Sequence, residues 1–355
     1  MYVKFGQLLR SHTASIVERV LSLSSSSVVP LVTTSAPRNV RPLRDALLED
    51  TNRHFDFLHA ALEVSRPSLF SEYTAWHLQV AHSHALPVED IRLTYQEILS
   101  TLRGMEHPEA PRAVSIVDEA LSRIRDFVPT ATVSSEPEES ATARLSTLYL
   151  ELLLAAKRQD ALSLVMNAVD EGLPLEDLYL QVLQPAMRKV GSLWLRNEIT
   201  VAQEHYVSAA TQLIVSQLYP RLLEGVRNGK VLVAGCVASN LHEIGLRFLC
   251  DIFELRGWDT HFYGANTPTT DFVDSIRKRR PDVVALGATL SSQLPAIVEV
   301  IRDIRKAPDT TKTPILVGGA AFWGHEELWR EMGADGFASD ATTAVQLAEQ
   351  LAGAA

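Results

Sequence analysis

At 355 residues, with 46% apolar and 21% charged side chains, the chain is long enough for two or three globular domains, each with its own core. No uninterrupted apolar run approaches the ~18 residues that span a bilayer, and the opening Met1-Tyr2-Val3-Lys4-Phe5-Gly6 lacks a signal-peptide pattern, so a cytoplasmic protein with no membrane partner is expected. A formal net charge of −10 argues against broad nucleic-acid affinity.

Helical periodicity runs over residues 1–24 through Phe5, Leu8, Leu9, Ile16, Val17 and Val20, and a loop rich in Ser, Thr and Pro follows to Arg38. Helical patterns at 41–64, 68–85, 88–104 and 109–127, punctuated by Pro67, Pro87, Pro108 and Pro111, complete an all-α sensor or interaction module over 1–128. His77, His82 and His84 invite a metal reading, but at 100° per residue only His77 and His84 share a helical face. No carboxylate or cysteine completes a ligand set in the local sequence. These histidines are expected on the helix surface, although with Tyr73, Trp76 and His59 they could line a pocket for a planar ligand. Residues 129–142 are polar, acidic and aperiodic, the signature of a linker.

From 143 to 225, apolar helical patterns at 143–156, 159–171, 175–194 and 199–223, joined by short connections, predict a four-helix bundle. After Gly229 the period changes. Strand-like runs at 230–236, 259–264, 282–288, 314–318 and 335–338 alternate with helical patterns, which predicts five parallel strands with right-handed crossovers, a flavodoxin-like (Rossmann-like) domain over 229–355. Cys236 and Cys250 fall in a strand and a helix and are expected as small buried hydrophobes. The basic run Arg277 to Arg280 ends a helix before Pro281, where cations complement the helix dipole.

Within this frame, four stretches carry chemistry. Ser239-Asn240-Leu241-His242-Glu243-Ile244-Gly245 follows the first strand and opens a helix, so His242 faces the crevice where open α/β sheets bind ligands. A neutral imidazole there can ligate a metal, with Asn240 accepting a hydrogen bond from its other nitrogen, and Gly245 leaves room for a flat macrocycle. The alternative is a capped helix start with a surface histidine. Loops after the third and fourth strands, Gly287-Ala288-Thr289-Leu290-Ser291-Ser292 and Gly318-Gly319-Ala320-Ala321, have little side chain. They could admit a long tail with Thr289, Ser291 or Ser292 donating hydrogen bonds, or simply pack helix on strand. In the bundle, Trp194 precedes Glu204-His205 by ten positions, a shielding indole and a polar pair whose plainer reading is core and solvated face.

The stretch 240–245 resembles the Asp-x-His-x-x-Gly motif of cobalamin-binding domains, with Asn240 at the Asp position, and the two loops resemble that family's Ser-x-Leu/Thr and Gly-Gly segments, with Gly287 at the Ser position. The resemblance implies cobalamin held by Asn240, Leu241, His242, Glu243, Gly245, Thr289, Ser291, Ser292, Gly318 and Gly319, with His242 as the lower cobalt ligand. It also implies that an Asp at position 240 would make that ligand stronger. The Trp-x9-Glu-His spacing is similar to that of CarH-type photoreceptors, which implies adenosylcobalamin with Trp194, Glu204 and His205 at its upper face. Two departures stand out: Leu195 replaces a cobalt-capturing histidine, and no basic helix-turn-helix is present. Residues 41–127 look like the helical module ahead of standalone cobalamin sensors, of which photocobilins bind a bilin beside the cobalamin. Biliverdin here would be noncovalent. The expected function is a light-responsive, non-enzymatic signalling protein acting as a homo-oligomer or through a separate partner. The alternative is a corrinoid carrier of a methyltransferase system, whose upper face must stay open.

Overall fold

The computed structural model describes residues 5–23, 43–128 and 140–354. The chain divides into two compact units, one of residues 1–136 with 191–204, the other of 137–190 with 205–355. Among the described residues, no helix is long and apolar enough to cross a membrane.

The first unit contains α1 (Phe5–Ser11), α2 (Thr13–Leu23), α3 (Leu43–Glu63), α4 (Ser68–Ser83), α5 (Val88–Arg103) and α6 (Ala110–Arg125). The expected helix over 1–24 is thus two, parted at His12. Prolines set the starts of the last three: Pro67 and Pro87 sit at the N-caps of α4 and α5, and Pro111 lies in the first turn of α6, where a missing N–H costs nothing. The core holds Phe55, Leu58, Phe70 and Tyr95. It also holds residues expected elsewhere. Tyr73 stacks on Phe57 at 3.8 Å between ring centroids, its hydroxyl 2.7 Å from Nδ1 of His54, and His77 lies parallel to it at 5.8 Å. His77 is 4% exposed, and burial, helped by the Arg53 cation, lowers its pKa to about 3. The surface reading therefore fails for His77, because a shared helical face does not reveal whether that face is turned in or out. Among the described residues no cluster of three or more His, Cys, Asp or Glu could hold a metal ion.

The second unit opens with α7 (Ala141–Leu154), capped by Ser140, whose Oγ accepts from the Ala143 N–H at 3.0 Å. The helix takes in the last residues of the expected linker; its remainder, 129–139, and the loop after 23 lie outside the described residues. Then come α8 (Arg158–Asp170), α9 (Leu175–Asp177), a π-helical stretch Leu178–Leu183, α10 (Gln184–Leu195) and α11 (Val201–Leu222). They match the four expected helical stretches, the third interrupted by the π turn.

The sheet is all parallel, in the order β2-β1-β3-β4-β5, with β1 Val231–Cys236, β2 Asp259–Phe262, β3 Val283–Gly287, β4 Ile315–Gly318 and β5 Gly336–Ala338. Helices α12 (Ile244–Leu255), α13 (Thr269–Arg279), α14 (Leu294–Lys306), α15 (Leu328–Met332) and α16 (Ala341–Ala354) connect and flank it. β3 is buried at every position, which is why it reads as an unbroken apolar run rather than an alternation. Both cysteines are buried and unbridged, and burial pushes the Cys236 thiol up to about 12. Tyr179, in the π turn, donates its hydroxyl to Asp251 of α12 at 2.8 Å, and the Glu176–Arg256 pair lies at 2.7 Å. Burial raises the Asp251 carboxyl to about 6.

Candidate functional site

The strand order β2-β1-β3 places the topological switch point at the carboxyl ends of β1 and β3, where open α/β sheets bind ligands in a crevice. Three carboxamides fix its rim. Asn240, 1% exposed, donates from Nδ2 to the Gly287 carbonyl at 3.0 Å and accepts the His242 backbone N–H on Oδ1 at 3.1 Å. Gln293 accepts the N–H groups of Thr289 (2.8 Å) and Leu290 (3.0 Å) and donates to the Ser239 carbonyl at 3.2 Å. Asn266, after β2, accepts the Ser239 N–H at 2.7 Å, and its own N–H reaches the Asn240 carbonyl at 2.9 Å. The β1 loop is thereby tied to both neighbouring loops, and the left-handed conformation of Ser239 (φ 66°) is held in place.

This arrangement changes the meaning of Asn240. Its Oδ1 accepts from the backbone amide of His242, and its Nδ2 donates to the Gly287 carbonyl, a role that an amide can fill and a carboxylate cannot. An Asp at this position would set an anion against the Gly287 carbonyl, so the expected strengthening of the ligand by Asp is not supported by the geometry.

On the rim so built, His242 is exposed, as is Gly245, and a side chain at Gly245 would meet nothing within 4 Å. Leu241 is 72% exposed, and Tyr263, Leu290 and Trp323, from the loops after β2, β3 and β4, are exposed too. These side chains leave apolar surface on the loops at the carboxyl end of the sheet. Thr289, Ser291 and Ser292 are half-buried on the β3 loop. Gly319 has φ 102°, and a Cβ there would lie 2.2 Å from the Ala288 carbonyl oxygen. At Gly319, then, glycine is required by the close approach of the β3 and β4 loops; open space is found at Gly245.

From the helices, α11 lies along the same crevice within the second unit: Gln212 Nε2 donates to Glu243 at 2.9 Å, and Arg247 to Ser216 Oγ at 3.1 Å. His205, exposed, is on that helix seven residues before Gln212. Arg188 of α10 stacks over Trp323 at 5.7 Å. Trp194 and Glu204 fall in the first unit. There Asn197 closes α10 in a left-handed conformation (φ 59°), the Glu198 N–H bonds the Leu193 carbonyl at 2.9 Å, and the Trp194 ring lies 6.2 Å from that of His84. Thr200 and Gln203 then cap α11 reciprocally, at 2.9 and 3.2 Å.

A single exposed imidazole cannot hold a bare ion, but it can complete a metal already chelated by a planar macrocycle. The apolar rim and the open position at Gly245 suit such a group. Gln293, Asn266, Gln212, Arg188 and Trp323 escape a reading of motifs; their places just after strands or on the bundle face are their only sequence signal.

Residues 230–348 match the B12 binding domain, and residues 145–219 match a second B12 binding domain. The dimethylamine corrinoid protein of Methanosarcina barkeri is 25% identical over 204 residues, 57% of this chain and 94% of that protein. The HTH-type transcriptional repressor CarH of Myxococcus xanthus is 30% identical over 184 residues, 51% of this chain and 60% of that protein. The solved structure of the Methanosarcina barkeri monomethylamine corrinoid protein shares the fold, with a TM-score of 0.53 at 19% identity over 59% of this chain and 100% of that one. The two domain matches identify a cobalamin-binding protein.

Proposed function

From cobalamin binding as the premise, we propose that this chain is a signalling protein that holds adenosylcobalamin at the carboxyl edge of its sheet and reports the state of the upper ligand through its N-terminal helices. His242 supplies the lower nitrogen. Assignment of Trp194, Glu204 and His205 to the upper face rests on their sequence spacing. The observation that carries the signalling reading is that the Trp194 segment, 191–204, packs with the N-terminal helices, its indole beside His84. The dimethylamine corrinoid protein is matched over 94% of its own length by 57% of this chain, so the rest of the chain has no counterpart there. Bound adenosylcobalamin supplies a cobalt–carbon bond that light can break.

The test is to load the full chain in darkness, then record its absorption, its size and the amide exchange of α3 to α6 before and after green light. Faster or slower exchange in those helices, lost in Trp194→Ala while cobalamin stays bound, supports the reading. A spectral change with unaltered exchange and size refutes it.

A corrinoid carrier is the second reading, favoured by the match to the dimethylamine corrinoid protein. It requires that methylcobalamin bind as tightly as adenosylcobalamin and that a partner enzyme reach the upper face. A noncovalent biliverdin remains part of the first reading, at a different place from the one the sequence suggests, since Tyr73 and His77 are core residues. A groove between α5 and α6 places Arg92, Arg103 and Arg125 over Leu99 and Leu121, with Arg103 paired to Asp118 at 3.5 Å and Arg92 to Glu89 at 2.8 Å, and propionates would compete with those carboxylates for the arginines. Red absorbance that appears with biliverdin and is lost in Arg103→Glu/Arg125→Glu supports it there; no red absorbance removes it.

A further inference from the structure

Helix α11 carries His205 and, two turns later, Gln212; seven residues advance ~10.5 Å and return to within ~20° of the same face. Ser216 extends that stripe by one more turn. The C-terminal part of the stripe is anchored to the β1–α12 region through Gln212 to Glu243 (2.9 Å) and Ser216 to Arg247 (3.1 Å). Glu243 is the residue directly after His242 and the N-cap of α12. The carboxamide ties of Asn240, Asn266 and Gln293 stay within the sheet domain, whereas the bond of Glu243 leads out to the helices.

We propose that Gln212 is a positioning residue that, by holding Glu243, couples the helix bearing His205 to the loop bearing His242, so that the group above the cobalt sets how firmly His242 holds it from below. This deepens the cobalamin reading above and rests on it. A helix is stiff over two turns, so a shift at His205 moves Gln212 with it. The amide–carboxylate bond is charge-assisted and passes that shift to the residue beside the ligand. Coupling of this kind is reciprocal: if the upper ligand changes the grip of His242, the grip of His242 changes the preference for upper ligands.

The experiment measures the equilibrium affinity ratio for adenosylcobalamin over hydroxocobalamin, in darkness, for the full-length wild type, Gln212→Leu, Gln212→Glu and the exchanged pair Gln212→Glu/Glu243→Gln. The ratio in Gln212→Leu is expected to fall about 5- to 10-fold toward one. Gln212→Glu, which opposes two carboxylates, should fall at least as far, and the exchanged pair, with donor and acceptor reversed, should recover the wild-type ratio. A ratio unchanged in Gln212→Leu, or two affinities falling equally, overturns the coupling. The electron paramagnetic resonance spectrum of wild type labelled with 15N-histidine and loaded with cob(II)alamin separates the two levels, because a histidine ligand then gives doublet nitrogen splitting whereas the cofactor's own base gives a triplet. If the doublet is absent, the lower-ligand reading itself fails; if it is present while the ratio stays fixed, the coupling alone fails.

Discussion

Asn240→Asp is the sharpest probe of the crevice, because it changes one atom and reverses one hydrogen-bond role. The amide donates to the Gly287 carbonyl at 3.0 Å in a setting only 1% exposed, and that carbonyl has one other partner, the Val237 N–H at 3.3 Å. The carboxylate keeps the bond to the His242 N–H but loses the donor, worth about 1 kcal/mol, and faces a carbonyl oxygen as a buried anion for a further ~1–3 kcal/mol. A loss of about 2–4 kcal/mol should lower the melting temperature of the apoprotein by roughly 5–15 °C. Protonation restores a donor, so the new carboxyl has a higher pKa folded than unfolded. The stability it contributes is present at low pH and lost as pH rises, and the deficit against wild type should be larger at pH 8 than at pH 5. Asn240→Ala, which removes both bonds, should show a deficit that does not vary in this way. Thermal melts followed by circular dichroism at both pH values decide the matter. An Asn240→Asp protein that melts with wild type at pH 8 would refute the role assigned to the amide.

His242→Ala should abolish the doublet nitrogen splitting that 15N-histidine labelling gives in the cob(II)alamin spectrum and weaken cobalamin binding by at least about tenfold, or ~1.4 kcal/mol, read by equilibrium titration. Gly319→Ala, with φ 102° and a Cβ placed 2.2 Å from the Ala288 carbonyl, should cost about 3 kcal/mol in urea unfolding and loosen cofactor retention. Asp251, raised from 3.8 to about 6 by burial, binds its proton more tightly in the folded chain; wild-type stability should therefore fall as pH rises from about 4 to 6, and Asp251→Asn should gain on it by ~2–3 kcal/mol across that window.

Much of the fold could be read from the order of residues. Apolar runs such as 283–287 identify buried strands because both sheet faces are covered, and Pro67, Pro87 and Pro111 fix helix starts because their rings exclude an interior position. His242 and Gly245 are both exposed, in the β1–α12 loop and in the first turn of α12. What the order of residues hides is direction. Periodicity groups His77 with a helical face without telling which way it points, and the type of residue at 240 does not say whether its amide serves a ring or a backbone. Gln293 and Gln212 act across 54 and 31 positions, separations at which no local pattern survives. The grouping of 191–204 with the N-terminal helices depends likewise on contacts between distant segments.

That grouping bears on how the protein is made. As the chain leaves the ribosome, α1 to α6 emerge together, yet their unit lacks 191–204 until 137–190, which belong to the other unit, have been synthesised. The helical unit can therefore be completed while the strands and loops of the crevice are still unmade, so no ligand of those loops is required to template it.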